Sequence, residues 1–261
     1  MKQAVHDFWN AASCGETLYL QDGDYDRQAQ ERYRLEPYIH PFANFSASRG
    51  KRVLEVGVGL GADHEEFAKA GAILSGIDLT ARAVEHTRQR LARLGLQSDL
   101  RVADAEHLPF EPATFDLIYS WGVLHHSPGT GSAVEEVWKA LKPGGVAKVM
   151  LYNKWSVVGL MLWLRYGLIR LRSLKWVYAN YLESPGTKAY TKEEVGRMFG
   201  GFDEVKIEIV LTHADLLTSR AGERHGLMFV RRFWPRKLIS RFPNLGLAML
   251  ISAKKAPLVA K

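Results

Sequence analysis

The stretch VLEVGVGLGADHEEF, residues 53–67, constrains the fold most, because an apolar run ends in three alternate glycines and then turns acidic. Such a run predicts a buried strand that enters a helix through a tight turn, which is where open α/β sheets bind ligands. Gly57, Gly59 and Gly61 follow a G-x-G-x-G spacing, whereas a dinucleotide loop has G-x-G-x-x-G. The stretch therefore predicts a ligand loop that departs from the dinucleotide pattern.

The acidic start of the following helix argues against a bound pyrophosphate. Carboxylates suit the positive end of a helix dipole, and Asp63 is predicted to cap this helix with Glu66 as its capping-box partner. A pyrophosphate would meet like charge there. Glu55 is an acid within an apolar strand, and burial makes it costly without a partner. That partner is either a cationic or donor-rich ligand or the neighbouring backbone N–H groups.

Strand-like and helix-like runs alternate from Val53 onward, which predicts βαβ units and a doubly wound α/β domain. The helices are predicted after Gly61, after Thr80, around 132–140 and after Thr191, which begins a capping box with Glu194. The strands are predicted at 52–56, 73–78, 100–102, 115–120 and 146–152, with two more in VKIEIV and LGLAMLISAKK.

Acids follow the second and third predicted strands. Asp78 ends the second strand, where a carboxylate can accept both hydroxyls of a ribose; a helix cap is the alternative, although Thr80 is better placed for that. Asp104 and Glu106 lie just beyond the third strand and could receive the exocyclic amine of an adenine, or either could be a solvated loop acid. The pattern favours a nucleoside-bearing ligand.

Taken together, the segments LEVGVGLG, GIDL, ADAEHLPF, FDLIYSWGVLHHSP and LKPGG resemble the successive motifs of class I S-adenosylmethionine-dependent methyltransferases. The branch that includes ubiquinone/menaquinone and sterol methyltransferases is the most similar. The resemblance covers about residues 53–152, with a weaker match in TKEEVGRMFGGFDEVKIE and the last strand. It implies a Rossmann-like, doubly wound seven-stranded sheet, mostly parallel with an antiparallel C-terminal strand. It also implies S-adenosyl-L-methionine as cofactor and S-adenosyl-L-homocysteine as product.

The resemblance also assigns cofactor contacts to particular positions. The three glycines would lie near the methionine part, and Ser120 with Trp121 near the methionine and methyl side. Asp78 would hold the ribose, and Asp104 with Ala105 would frame the adenine. Glu55, Leu79 and Glu106 are further candidate cofactor contacts.

Candidates for the acceptor side are few. His125 and His126 follow the fourth strand, and either could act as a base because histidine titrates near neutrality; the alternative is a structural role in the turn. Tyr25, Arg32, Tyr33 and Trp155 are candidate substrate contacts, although ordinary packing would also explain them. No metal site is predicted, and the single cysteine, Cys14, excludes a cysteine cluster and disfavours metalloid methylation.

The net charge of +7 is concentrated in two blocks. Residues 152–178 contain five basic residues and no acid, and in residues 220–241 Glu223 alone opposes several arginines and a lysine. The first block interleaves arginines with aromatics, which is compatible with a membrane interface, a homodimer face through 153–180, or an apolar lid. RNA is the less favoured partner, because no recognisable RNA-binding module accompanies these residues.

The chain is predicted to divide into four parts: a helical lid at 1–48, a cofactor-binding core at 49–152, a basic aromatic insertion at 153–190 that forms part of a substrate cap, and the remainder of the sheet with a basic segment at 191–261. The N-terminus lacks an apolar signal core, and no segment has the roughly 20 apolar residues of a membrane span, so a cytoplasmic protein is expected, with peripheral contact at the inner membrane left open.

The predicted function is methyl transfer from S-adenosylmethionine to a small apolar or amphipathic acceptor, with the choice of oxygen, nitrogen or carbon open. The alternatives are an RNA methyltransferase and a non-catalytic S-adenosylmethionine-binding scaffold that associates with a partner or a membrane. An NAD(P) oxidoreductase is disfavoured by the acids that follow the glycine loop.

Overall fold

The computed structural model describes residues 1–20, 23–218 and 230–258. Part of the second basic block, residues 220–229 with Glu223, lies outside the described residues. The α-helices are α1 (Lys2–Ala11), α2 (Glu16–Tyr19), α3 (Tyr25–Leu35), α4 (Ile39–Ala43), α5 (Ala62–Lys69), α6 (Ala81–Ala92), α7 (Thr130–Ala140), α8 (Val157–Leu162), α9 (Leu174–Tyr181), α10 (Lys192–Met198) and α11 (Arg236–Ile239).

One seven-stranded sheet organises the chain, and its strand order is β3-β2-β1-β4-β5-β7-β6. The last strand pairs antiparallel with both of its neighbours, and the remaining pairs are parallel. This confirms the predicted mostly parallel sheet with an antiparallel C-terminal strand. The strands are β1 (Arg52–Val56), β2 (Ile73–Asp78), β3 (Asp99–Val102), β4 (Phe115–Trp121), β5 (Leu141–Tyr152), β6 (Glu204–Val210) and β7 (Ala248–Lys254).

The alternation of side chains along the strands divides the core between the two faces of the sheet. Leu54 and Ile118 face a cluster that includes α7 and α10, whereas Val53 and Tyr119 face a cluster that includes α4 and α5. The strand order reverses between β1 and β4, because β2 lies on one side of β1 and β4 on the other. That reversal opens a crevice at the carboxyl ends of these two strands, where doubly wound sheets bind ligands.

Two helix-start predictions are confirmed and one is wrong. Thr80 accepts a hydrogen bond from the Ala83 N–H, and Thr191 forms the predicted capping box with Glu194. Asp63, however, does not cap α5, which begins after Gly61 without a side-chain cap. The carboxylate of Asp63 instead accepts hydrogen bonds from side chains of α3 and β4.

The predicted insertion folds around its own small core. It contains α8, a π-helical turn at Trp163–Gly167 and α9, and Val158, Leu162, Val177 and Tyr178 pack there with Leu247. Within residues 1–20, 23–218 and 230–258, none of the helices combines the length and the apolar character that crossing a bilayer requires.

Asp215 fastens the insertion to the second basic segment. Its carboxylate accepts hydrogen bonds from the backbone N–H groups of Val158 and Leu247, and its carbonyl oxygen accepts one from the Trp234 indole. Asp215 therefore links the described parts of the two basic blocks through hydrogen bonds.

Candidate active site

A cavity of about 300 Å³ lies at the carboxyl ends of the parallel strands, at the point where the strand order reverses. Its walls come from the loop after β1, the ends of β2, β4 and β5, and the N-terminal helices. Lys2, Val5 and Trp9 of α1 also border it. The N-terminal segment thus closes a site that the sheet would otherwise leave open.

The glycine loop has backbone dihedral angles that residues with a side chain rarely adopt. Gly57, Gly59 and Gly61 all have positive φ, at 85°, 53° and 76°. A Cβ on Gly57 would lie 2.1 Å from Cγ2 of Val123, so this position is also closed sterically to larger residues. The loop can approach a ligand with bare backbone, as the sequence predicts.

Asp78 is fixed at the carboxyl end of β2 by donors on both of its oxygens. One oxygen accepts from the Gly59 N–H at 3.2 Å, and the other accepts from the N–H and the hydroxyl of Thr80, each at 3.0 Å. Burial raises the pKa of Asp78, and these hydrogen bonds oppose that effect. The carboxylate borders the cavity and retains lone pairs for two hydroxyl donors.

Glu55 borders the cavity, but its buried partner is a histidine. Glu55 Oε2 lies 2.9 Å from Nδ1 of His64, whose Nε2 lies 2.8 Å from the Ser98 hydroxyl. Ser98 donates its own proton to the Leu74 carbonyl, so His64 Nε2 is the donor to Ser98. Burial lowers the pKa of His64 to about 3 and raises that of Glu55 well above its usual value. A neutral imidazole then accepts at Nδ1, and a protonated Glu55 donates to it. The expectation of a charged Glu55 awaiting a cationic ligand is corrected accordingly.

Asp63 is the centre of a buried charged network at the cavity wall. Arg32 donates to both of its oxygens, at 3.0 and 2.6 Å, and the hydroxyls of Tyr33 and Tyr119 donate at 3.1 and 2.8 Å. Burial disfavours ionisation, but Arg32 and the two hydroxyls outweigh it and hold the pKa of Asp63 below its usual value. The acid at the start of α5 is therefore paired to α3 and fixes the N-terminal segment to the sheet.

The two acids after β3 contact α1. Lys2 Nζ lies 2.5 Å from Asp104 Oδ2 and 3.3 Å from Glu106 Oε2. Glu106 also accepts hydrogen bonds from the Ser127 hydroxyl and the Gly129 N–H. Asp104 borders the cavity with Ala105, whereas Glu106 faces the next loop. Lys2 thus lies at the edge of the cavity where adenine is predicted to bind.

The two histidines occupy different environments. His126 borders the cavity, and its Nδ1 lies 2.8 Å from the Ser184 hydroxyl and 3.1 Å from that of Thr187. His125 is fully buried, with its ring centroid 4.0 Å from that of Tyr152 and the two rings tilted by 37°, and it does not border the cavity. Burial, with the nearby His126 and Lys188, lowers the pKa of His125 well below its usual value. Of the pair, only His126 is placed to meet an acceptor.

A second cavity of about 150 Å³ continues from the first beneath the insertion. Both cavities are bordered by Glu36, Met150, Tyr152, Glu183 and His213. Beyond these shared residues, the second cavity is largely apolar, with walls formed by Val158, Met161, Leu162, Leu182 and Leu247. The site therefore has one half at the glycine loop and another under α8, where aliphatic side chains lie beside the shared polar residues.

Most predicted site residues border the first cavity, including Leu79, Trp121 and Arg32. Ser120 does not, because its hydroxyl is buried and donates to the Val56 carbonyl on the sheet. The others that border neither cavity are Glu106, His125, Tyr25, which bonds His86, Tyr33, which bonds Asp63, and Trp155, which is 61% exposed.

Several cavity residues had no recognisable sequence signal. Lys2 and Trp9 lie in an unremarkable helix, and Glu36, Glu183 and His213 are isolated polar residues far apart in the chain. Only the pairing of Arg32 with Asp63 could have been suspected, because both lie in segments that the sequence assigns to the site.

The fold resembles that of Rossmann-like methyltransferases, and comparison with known proteins supports this likeness. Residues 54–149 match the family model described as "Methyltransferase domain". The resemblance predicted from the sequence is thus confirmed for this core segment.

Curated relatives match parts of this chain. A ubiquinone biosynthesis O-methyltransferase from Azoarcus sp. (strain BH72) is 39% identical over 106 residues, which are 40% of this chain and 46% of that protein. The sterol 4-C-methyltransferase strm-1 of Caenorhabditis elegans is 27% identical over 131 residues, 49% of this chain and 39% of that protein. The chain thus spans less than half the length of the relatives it matches.

A solved structure shares the fold over nearly the whole chain. The Haemonchus contortus phosphoethanolamine N-methyltransferase 2, in complex with phosphomonomethylethanolamine and S-adenosylhomocysteine, superposes with a TM-score of 0.61 at 18% identity. The superposition covers 97% of this chain and 60% of that one. The residues present here fit the same cofactor class, because a bare glycine loop and a fixed carboxylate, Asp78, border one cavity.

Proposed function

We propose that this chain transfers a methyl group from S-adenosylmethionine to a small amphipathic acceptor whose apolar part lies beneath the insertion. The observation that carries the proposal is the continuity of the two cavities, which share five residues. The curated relatives are named as methyltransferases of ubiquinone biosynthesis and of sterols, which supports a small apolar acceptor.

The donor half would be held by groups that are already oriented. Asp78 would accept the ribose hydroxyls, because Gly59 and Thr80 fix its carboxylate at the cavity edge. Asp104 and Ala105 would border the adenine, and the glycine loop would follow the methionine part. When bound, the cofactor supplies a methyl group on a positively charged sulfur, which an acceptor displaces in line.

The acceptor half would contribute mainly alignment. Holding two reactants in a near-attack geometry is worth up to about 7–11 kcal/mol of the barrier in favourable cases. The aliphatic wall formed by Val158, Met161 and Leu162 would hold the apolar part of the acceptor. His126, whose Nε2 lies 3.3 Å from Glu183 Oε2, would receive the proton of a hydroxyl or ammonium acceptor at the junction of the two cavities.

We expect His126→Gln to lower kcat by about 100-fold or more, because general base catalysis typically contributes 10²–10⁴-fold. Affinity for S-adenosylhomocysteine should stay within about twofold of wild type, since His126 lies at the acceptor end. Steady-state kinetics and calorimetric titration check the two halves of this expectation. Full turnover by both His125→Ala and His126→Ala would rule out a base at this position.

We also propose that the insertion contacts an anionic membrane surface. Ile169 is 87% and Leu171 is 92% exposed, and the exposed side chains of Arg165, Arg170 and Arg172 lie in the same segment. Residues 152–178 and 230–258 contain no acid to oppose them. Exposed apolar side chains among cations suit the headgroup region of an anionic bilayer.

Sedimentation with vesicles tests this contact. Wild type should bind vesicles of phosphatidylglycerol and phosphatidylcholine, and Ile169→Ser should lower the bound fraction at least threefold. Ile73→Ser is the matched control, because Ile73 is 58% exposed at the amino end of β2, outside both basic segments. Equal binding by the two variants would contradict the proposal. If wild type dimerises without binding vesicles, and Ile169→Ser abolishes that dimerisation, the face would be assigned to contact with a second copy of the chain instead.

A further inference from the structure

Three side chains with metal-ligating atoms meet where the two cavities join. One ring nitrogen each from His125 and His126 and a carboxylate oxygen of Glu183 all lie within 4.8 Å of one another. His125 is 0% and His126 is 5% exposed, whereas Glu183 borders both cavities. The sequence gives little sign of this cluster, because Glu183 lies in the insertion, far along the chain from the histidines.

The His125 ring has nitrogen atoms that the protein itself does not satisfy. Among the described residues, neither ring nitrogen of His125 has a hydrogen-bond partner, and Nε2 of His126 faces the Glu183 carboxylate oxygen at 3.3 Å without a hydrogen bond. Leaving a buried polar group unpaired costs about 1–3 kcal/mol, so such groups are rare in folded proteins. A cation bound between the two rings would be coordinated by nitrogen lone pairs that make no hydrogen bond within the protein.

The surroundings of the cluster already orient its ligands. The Thr187 hydroxyl donates to the Ser184 carbonyl at 2.7 Å, so it can only accept from Nδ1 of His126. In the tautomer that donates from Nδ1 to Thr187 or Ser184, Nε2 presents a lone pair toward Glu183, as metal ligation requires. The Tyr152 hydroxyl donates to Glu183 Oε2 at 2.7 Å and orients that carboxylate. Hydrogen bonds of this kind to the outer side of the ligands are typical of metal sites.

We propose that His125, His126 and Glu183 bind a divalent transition metal ion, with Zn²⁺ as the best match. Two imidazoles and one carboxylate with an open fourth position form the ligand set of catalytic zinc sites. Metal–ligand bonds of about 2.0–2.2 Å require the three donor atoms to approach one another by small side-chain rotations. An open position would lie toward the first cavity, which Glu183 and His126 border.

The consequence for catalysis rests on the proposed function. A hydroxyl acceptor bound at the open position would ionise more readily beside the metal, its proton passing to water. In the metal-bound state His126 would be a ligand and water would take the proton, whereas in the metal-free state His126 would be the base of the proposed function. The metal site itself does not depend on methyl transfer, and its test uses binding alone.

Chelator-treated full chain should bind Zn²⁺ with a stoichiometry of one in calorimetric titration, and Co²⁺ should give visible ligand-field bands of a low-coordinate site. His126→Gln and Glu183→Gln should each weaken Zn²⁺ binding at least tenfold. His107→Gln is the matched control, because the His107 side chain is 80% exposed and outside the cluster. Its affinity for Zn²⁺ should equal that of wild type.

Absence of Zn²⁺ binding by wild type, or wild-type affinity in His126→Gln and Glu183→Gln, would overturn the proposal. Circular dichroism of each variant establishes that it is folded before its affinity is compared. The same samples are titrated with S-adenosylhomocysteine. If wild type binds the cofactor but no metal, only the metal-site proposal is wrong. If folded wild type does not bind the cofactor, the proposed function is wrong.

Discussion

Replacing Asp78 with alanine should weaken the binding of S-adenosylhomocysteine by about 100-fold or more. Two ribose hydroxyls would lose a charged acceptor, and hydrogen bonds to charged groups contribute about 1.5–3 kcal/mol each, where 1.4 kcal/mol is a factor of ten in affinity. The structure fixes this carboxylate through Gly59 and Thr80, so the wild-type site has little reorganisation to undergo on binding. Calorimetric titration of the two proteins measures the difference.

Two further variants make the Asp78 result specific. Asp78→Asn keeps one acceptor oxygen and should fall between wild type and Asp78→Ala. Asp99→Ala removes a half-exposed carboxylate at the amino end of β3, where it pairs with Arg101, and should bind like wild type. If Asp78→Ala bound S-adenosylhomocysteine as tightly as wild type, the ribose assignment would be wrong.

Replacing Arg32 with methionine should lower the free energy of unfolding by about 3 kcal/mol. Removing one partner of a buried ion pair typically costs 3–5 kcal/mol, because the other charge stays buried without compensation. The lower end applies here, since the Arg32 side chain is 23% exposed whereas that of Asp63 is 2% exposed, and two tyrosine hydroxyls remain on Asp63. Denaturant unfolding at neutral pH measures the loss.

The matched control for this variant is Arg34→Met on the same helix. The Arg34 side chain is 62% exposed and its ion pair with Glu31 lies at the surface, so a cost of about 0–1 kcal/mol is expected. The double variant Arg32→Met/Asp63→Asn should recover part of the stability, because it removes the orphaned charge. Equal unfolding free energies for Arg32→Met and Arg34→Met would show that the buried pair does not fix α3 to the sheet.

The same pair predicts a pH dependence. The pKa of Asp63 is lower in the folded chain than its ordinary value of 3.8. Its ionised form therefore stabilises the fold above about pH 4, and this contribution is lost as the pH falls further. The stability difference between wild type and Arg32→Met should consequently shrink on acidification from pH 7 toward pH 3. A difference that stays constant over this range would contradict the assignment.

The sheet and the donor half of the site were predictable from the sequence because both depend on local signals. Apolar runs separated by helical segments determine the strands, and Gly57 and Asp78 lie at strand ends, which meet at one edge of a parallel sheet. β5 begins earlier than predicted, at Leu141, because a register shift opposite Phe115 and Leu117 accommodates the turn of LKPGG within the strand.

The acceptor half was not predictable for the opposite reason. Its polar groups, Glu36, Glu183 and His213, come from three segments that meet only in the folded chain. The sequence also misassigned Asp63 to a helix cap, and for Glu55 it named only a ligand or backbone N–H groups as partners. Tertiary packing brings their partners, Arg32 and His64, to them, and no local sequence pattern indicates these pairings.

The most direct test of methyl transfer is incubation of the chain with methyl-labelled S-adenosylmethionine and extracts of lipids, quinones and small metabolites. We predict a labelled small amphipathic product that forms with wild type and is strongly reduced with Asp78→Ala. If wild type binds S-adenosylmethionine but no extract yields a labelled product, a non-catalytic cofactor-binding scaffold would replace the enzyme proposed here. Label that appears in RNA alone would contradict the small-molecule acceptor.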